Sequence, residues 1–149
     1  MTGELTFRRV HRGSPALLFA CMTEPAHLTH FWGPAGTTTP VEHIVVDLRP
    51  GGAFETTMVN DADGSTYTMR AVYAEISPPD RLVWVEAGVE GGMRTTVTFA
   101  DLLDGRTEVV THQSNLPAAY LSAEAQAGFA TSLDRYAAYV ARLTGQEPT

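Results

Sequence analysis

The chain has no lysine among its 149 residues, so all ten of its basic residues are arginine. Schiff-base catalysis, a lysine general base and a Walker-type phosphate loop each need a lysine amine, and the sequence therefore excludes all three. The formal net charge is −7, and the arginines are scattered along the chain. We expect no nucleic-acid partner, because binding a polyanion needs a clustered basic face.

Cysteine and long apolar runs are also scarce. Cys21 is the single cysteine, so no disulfide can form within the chain, which is typical of a protein in a reducing cytoplasm. Residues 1–10 lack the apolar core of a signal peptide, and no run approaches the roughly 18 apolar residues of a membrane span. We therefore predict a cytoplasmic protein without membrane insertion. The length suits a single domain over residues 1–149.

Alternation of apolar and polar residues dominates the middle of the chain and predicts a sheet. A first strand is expected at Leu5–Arg9. Turn signals then separate six further predicted strands, which are Val41–Leu48, Ala53–Val59, Tyr67–Ile76, Arg81–Glu86, Met93–Leu102 and Thr107–Ser114. A loop is expected at 88–92. Strands that follow one another with short turns favour an antiparallel meander.

Helical spacing occurs only at the two flanks of this sheet. Ser14-Pro15 is typical of a helix start, and Pro25 begins a second short helix that runs to Trp32. Between about Tyr120 and Thr144, apolar residues recur every three or four positions and predict one long helix. The fold class is therefore α+β, with a curved antiparallel sheet of about seven strands wrapped around a long C-terminal helix. One helix covers the concave face incompletely, so we expect a cavity between them.

Four segments in chain order resemble motifs of the START-like (SRPBCC) superfamily, whose fold is the helix-grip. They are Thr23-Glu24-Pro25 with Phe31-Trp32-Gly33-Pro34, Asp47-Leu48-Arg49-Pro50-Gly51-Gly52-Ala53-Phe54, Ile76-Ser77-Pro78-Pro79-Asp80-Arg81-Leu82-Val83, and Gly105-Arg106-Thr107 through His112. Together they point to the branch named after the homologue of the activator of the 90-kDa heat-shock protein ATPase. The similarity runs from about residue 5 to residue 143. It implies a helix-grip fold with a ligand cavity more than a chaperone role.

Two positions differ from what the resemblance implies, and both bear on the cavity. The final helix of this family usually has Gly-Trp where this chain has Gly128-Phe129. The strand after the double-proline turn often ends with an aromatic residue where this chain has Glu86. We expect the fold to tolerate both changes, and the cavity to differ in shape and polarity.

Strand parity predicts which side chains line the cavity. Three methionines on predicted inward positions would form a flexible, polarizable wall that suits apolar ligands. The candidate ligand-binding residues are Phe31, Trp32, Phe54, Met58, Met69, Trp84, Met93, Phe129, Leu133 and Tyr136. Arg70 and Arg94 fall on the outward parity, so the pattern favours a neutral, largely apolar ligand.

Three residues are candidates for acid–base chemistry: Glu86, His112 and Tyr136. Glu86 shares a strand face with Trp84, so an inward Trp84 would bring the carboxyl into an apolar cavity and raise its pKa. His112 has the parity of Glu108, which predicts an outward side chain. Catalysis in the cavity would need at least two of the three candidates to converge there.

The sequence favours binding of a hydrophobic or amphipathic small molecule, lipid-like or aromatic. Two alternatives stay open. One, implied by the resemblance because START-like relatives include such enzymes, is an enzyme of the polyketide cyclase or aromatase kind, with cyclase, dehydratase or hydrolase-like chemistry that uses neither metal nor lysine. The other is a co-chaperone-type interaction module. His27 and His30 have no third ligand nearby, so we expect no metal site. No cofactor is expected, and the protein is predicted to be a monomer or a homodimer.

Overall fold

The computed structural model describes residues 2–88 and 90–145, and its elements follow the predicted order. The eight strands are β1 (Thr2–Arg12), β2 (Thr37–Thr38), β3 (Ile44–Val46), β4 (Ala53–Asn60), β5 (Thr66–Ser77), β6 (Arg81–Glu86), β7 (Met93–Asp101) and β8 (Arg106–Pro117). The three α-helices are α1 (Pro15–Thr23), α2 (Pro25–Leu28) and α3 (Ala123–Leu143). Short 3₁₀ turns cover Val41–His43 and Ala118–Leu121.

All pairings in the sheet are antiparallel, in the order β1-β8-β7-β6-β5-β4-β2, with β3 on β4. Consecutive strands from β4 to β8 lie side by side, which is the predicted meander. Strand β1 joins its far edge by pairing with β8. The α+β class, the curved sheet, the long C-terminal helix and the two short helices after the first strand are therefore confirmed.

The structure corrects the predicted number of strands and several predicted boundaries. Residues 41–48 were expected to form one strand, but a 3₁₀ turn occupies Val41–His43 and only Ile44–Val46 pair with β4. The two-residue strand β2 raises the strand number to eight, and it is too short for an alternation pattern to predict. The final helix begins at Ala123, not near Tyr120, because Ser122 caps it by accepting a hydrogen bond from the Ala125 backbone N–H at 3.0 Å.

Other local predictions can be compared directly. Ser14 caps α1 as its motif predicts, accepting a hydrogen bond from the Leu17 backbone N–H at 3.1 Å. The second helix is shorter than expected and ends at Leu28. The predicted loop 88–92 includes Val89, which lies outside the described residues. No helix in the described part of the chain is both long and apolar enough to cross a membrane.

The two halves of α3 have different surroundings. In the C-terminal half, Tyr136 and Val140 are buried, and the ring of Phe31, just after α2, packs against Tyr136 at 4.8 Å between centroids. In the N-terminal half, the small side chains of Ala125 and Ser132 face the sheet across an open space. The helix therefore closes the core at one end and leaves a gap at the other.

Candidate functional site

Two cavities lie between α3 and the concave face of the sheet. The outer cavity has a volume of about 220 Å³ and the inner cavity about 120 Å³. Their walls have seven residues in common, so the two spaces are contiguous. The shared residues are Trp32, Gly33, Met69, Glu86, Gln113, Phe129 and Ser132.

Strand register brings the cavity residues together. Across four neighbouring strands, Trp84 pairs with Thr95, Thr95 with Gln113, and Gln113 with Leu5 of β1. Directly paired residues point to the same face of a sheet, so this row forms one continuous strip of the concave wall. The next row places Ala71, Glu86 and Met93 side by side.

Nine of the ten predicted ligand-binding residues line these cavities. Met58 and Met93 line the outer cavity, and Phe31, Trp84, Leu133 and Tyr136 line the inner one. Trp32, Met69 and Phe129 line both. Phe54 is the exception.

Phe54 lies behind the cavity wall. Its ring is fully buried and packs against Tyr73, Trp84 and Trp32 at centroid distances between 5.1 and 5.3 Å. Parity correctly predicts that it faces inward, but Trp32 lies over it and separates it from the open space. Phe54 therefore supports the aromatic wall, with Trp32 in front of it.

Among the residues of 2–88 and 90–145 that line either cavity, Glu86 is the one carboxylic acid. It is the last residue of β6, and its inward direction follows from that of Trp84 two positions earlier. In the described part of the chain, no group donates a hydrogen bond to its carboxyl. Burial raises the pKa of Glu86 to about 7, because a low-dielectric environment disfavours the charged form.

Thr95 and Gln113 are polar residues of the inner cavity that are not in the predicted ligand-binding set, although strand alternation places Thr95 on the inward face. Thr95 is 1% exposed, and its hydroxyl has no hydrogen-bond partner among the described residues. Gln113 lies beside it on β8 and lines both cavities. The same parity that predicts an outward His112 implies an inward Gln113, so the signal was present for this residue.

Tyr67 and Tyr120 lie at the mouth of the outer cavity, with 53% and 39% of their surfaces exposed. Burial is the main cause that raises the pKa of Tyr67. Gln126 is held at this end of α3 by a 2.9 Å hydrogen bond from its amide to the Leu121 carbonyl. Aromatic and amide groups therefore surround the entrance.

The three acid–base candidates have different positions. His112 lies on the outer face, where its ring contacts Thr6 Oγ1 at 2.8 Å and Glu4 Oε1 at 3.0 Å. Tyr136 lines the inner cavity, but its hydroxyl donates a 2.8 Å hydrogen bond to the Leu18 carbonyl. Glu86 and Tyr136 thus share a cavity, and of these two only Glu86 has its polar atoms without a protein partner.

Solved structures from several bacteria have the same fold. A protein from Chromobacterium violaceum is 25% identical with a TM-score of 0.81, over 91% of this chain and 96% of that chain. An AHSA1-like protein from Aeromonas hydrophila is 20% identical with a TM-score of 0.81, over 99% and 97%. The AHSA1 protein from Silicibacter pomeroyi is 22% identical with a TM-score of 0.78, over 95% and 99%. No curated protein matches this chain.

A family model described as "Activator of Hsp90 ATPase homolog 1-like protein" matches residues 12–141. All four motif segments lie inside this range, as do both short helices and strands β2 to β8. The match covers most of the chain, and the sheet and long helix agree with the helix-grip architecture of the START-like superfamily. The chain therefore belongs to the activator of Hsp90 ATPase homolog 1-like family.

Proposed function

We propose that the protein binds a small, largely apolar molecule in the outer and inner cavities together. The observation that carries this proposal is that the two spaces are contiguous, so that one ligand can extend through both. Their volumes taken together are near the lower end of the roughly 300–1,000 Å³ that is typical of small-molecule sites. A cavity of about 150 Å³ holds benzene, so the inner cavity suits about one ring.

The cavity walls support an apolar ligand with a few polar contacts. Met58, Met69 and Met93 come from three different strands and line the outer cavity. Methionine is unbranched and polarizable, so this wall can adapt to ligands of different shape. Thr95 and Gln113 would orient the ligand, because a small number of polar groups fixes orientation in such sites.

A blocking substitution tests the proposal. Ala125 lies on α3 in the wall of the outer cavity, so Ala125→Phe fills the space. Ala127 is exposed on the same helix, and Ala127→Phe is the matched control. We expect native mass spectrometry after incubation with a metabolite or lipid extract to detect a bound compound on the wild type and on Ala127→Phe, but not on Ala125→Phe. Equal retention by all three proteins would place the ligand elsewhere.

One observation favours a second candidate function, an enzyme of the cyclase or dehydratase kind. Glu86 has a pKa raised to about 7, and an acid–base catalyst works best when its pKa lies near the working pH. Incubation with an oligoketide probe and chromatography of the products would test this function. If the wild type converts the probe and Glu86→Gln does not, the result supports the enzymatic function. Equal turnover by both proteins excludes Glu86 as the catalyst.

The co-chaperone alternative needs a sizeable exposed apolar surface. On the outer face of the sheet, Val45 and Val72 are about half exposed. Arg70 and Glu55 lie among them, with 4.0 Å between Nε and Oε1. These charges interrupt the apolar area, so the cavity is the better-supported site.

A further inference from the structure

We infer that the ligand carries a basic nitrogen, and that its ammonium group lies against the carboxylate of Glu86. The chemical class is an apolar amine, with an aromatic or aliphatic body in the cavities and one cationic head. This inference rests on the proposed function, because it names the class of ligand for the same site.

The charges around the cavity are the first support. Among the described residues that line either cavity, Glu86 is the one acidic side chain, and none is arginine or histidine. Arg70 and Arg94, on the strands beside Glu86, are exposed and have the outward parity. Two arginines near the walls are engaged by protein groups, since Arg9 donates to Asp134 at 2.8 Å and Arg135 donates to the Gly33 and Pro34 carbonyls. An anionic head would be repelled by the carboxylate, whereas a cationic head would complete an ion pair.

The unused hydrogen-bonding capacity of Glu86 is the second support. An ionised carboxylate accepts about four hydrogen bonds, and no described group donates one to Glu86. Its neighbours across the sheet are Ala71 and Met93, neither of which has a polar side chain to offer. An ammonium group carries up to three donors and no acceptor, so it can supply hydrogen bonds to the carboxylate oxygens.

Aromatic rings supply the third support. Trp32 and Phe129 line both cavities together with Glu86, and Tyr67 and Tyr120 line the outer one. The faces of such rings attract cations through their quadrupoles. The net charge of −7 also favours a cation, since an anionic protein raises the local concentration of positively charged ligands.

The proton on Glu86 sets the expected pH dependence. Burial raises the pKa of Glu86 to about 7 in the empty cavity, and a bound ammonium ion would favour the charged form. Among the described residues that line the cavities, the other titratable groups are Tyr67, Tyr120 and Tyr136, on β5, a 3₁₀ turn and α3. Burial raises the pKa of Tyr67 and of Tyr136 above the ordinary value for a phenol. Glu86 is therefore the group that changes charge between pH 6 and pH 8.

Three probes with one carbon skeleton test the inference: 4-phenylbutylamine, 4-phenylbutan-1-ol and 4-phenylbutanoic acid. Calorimetry on the full chain at pH 8 should find the amine bound at least about tenfold more tightly than the alcohol, and the acid most weakly. Ionisation of a group with a pKa of about 7 rises about tenfold from pH 6 to pH 8. The affinity for the amine should rise by about the same factor, while that for the alcohol changes less than threefold.

Glu86→Gln should remove the preference for the amine, so that the ratio of the amine affinity to the alcohol affinity falls to about one. Glu90→Gln is the matched control, because Glu90 is exposed and does not line either cavity. The inference alone is overturned if the wild type binds the alcohol and shows no preference for the amine. It is also overturned if Glu86→Gln and Glu90→Gln lose that preference equally. Binding of none of the probes at millimolar concentration overturns it together with the proposed function.

Discussion

The indole Nε1 of Trp32 donates a 3.0 Å hydrogen bond to the hydroxyl of Thr56. Trp32 lies in the loop that follows α2, and Thr56 is fully buried in the middle of β4. One bond thus joins the short-helix region to the sheet at the wall between the cavities and Phe54. The bond gives the indole N–H an acceptor, and a tryptophan N–H inside a protein usually has one.

Thr56→Val should destabilise the protein, because it leaves the Trp32 N–H without an acceptor. We expect a loss of about 1–3 kcal/mol in the free energy of unfolding, the usual cost of an unsatisfied buried polar group. Urea denaturation measures it. Thr56→Ser keeps the hydroxyl and should lose less than Thr56→Val. Equal losses in both variants would mean that packing of the methyl group matters, and that the hydrogen bond does not.

Glu86→Gln should become more stable relative to the wild type as the pH rises. The pKa of Glu86 is about 7 in the folded protein and ordinarily 4.5, so between these values the folded state binds more protons than the unfolded state. Wild-type stability contributed by this group is therefore present below pH 4.5 and lost towards pH 7. The variant lacks this loss, and urea denaturation from pH 5 to 8 should show a difference that grows by about 1–3 kcal/mol. A difference that stays constant would contradict the burial of the carboxyl.

His11→Gln should have the opposite dependence. Burial, and then the charge of Arg9, lowers the pKa of His11 from 6.5 to about 4. Between these values the unfolded state binds more protons, so the wild type loses stability as the pH falls from 6.5 towards 4. The ring lies edge-on to Tyr136 at 5.1 Å, where a charge cannot be hydrated. Relative to wild type, the variant should gain up to about 3 kcal/mol over this range, measured by the same titration.

Thr95→Val should stabilise the protein without ligand. The Thr95 hydroxyl is buried and has no described partner, and a valine of the same shape removes the cost of desolvating it. We expect a gain of about 1 kcal/mol in urea denaturation, together with weaker ligand binding. Thr107→Val is the control, because the hydroxyl of Thr107 donates a 2.7 Å hydrogen bond to the Gly13 carbonyl, and its loss should destabilise. A loss in both variants would show that Thr95 has a partner.

Gly52→Ala should be strongly destabilising, because an added Cβ would overlap the backbone carbonyl of Asp47. In the same turn, Arg49 Nε donates to Asp47 Oδ2 at 2.8 Å. Gly51→Ala meets no neighbouring atom but has a φ of +84°, so we expect it to lose only about 1–2 kcal/mol. Thermal unfolding compares the two variants. A smaller loss for Gly52→Ala than for Gly51→Ala would show that the turn can open.

Alternation and helical spacing were sufficient for the fold, because most inward side chains of the central strands are buried while their outward neighbours are exposed. A one-residue shift of β7, for example, would exchange Thr95 and Val97 for Arg94 and Thr96, so burial determines the register. Residues 41–48 were less predictable. Their 3₁₀ turn depends on contacts with neighbouring segments, which apolar spacing does not encode.

The sequence predicted which side chains point towards the cavity, but not which of them reach its surface. Parity correctly points Phe54, Met69 and Met93 inward, but it cannot tell which inward side chain is covered by another. Phe54 lies behind Trp32 because the loop after α2 folds over it, a contact between residues 22 positions apart in the chain. Similarly, the phenol of Tyr136 is engaged only because α1 brings the Leu18 carbonyl within 2.8 Å.

The sequence by itself determined the order of elements and the family, because these depend on local pattern and residue type. The tertiary structure decided that Glu86, Thr95 and Gln113 face one contiguous space, and that none of the described residues lining it with them is arginine or histidine. Burial and hydrogen-bond partners determine the pKa of a group, and the partners determine which of its donors and acceptors stay unused. Both depend on segments distant in the chain, so no local pattern could supply them.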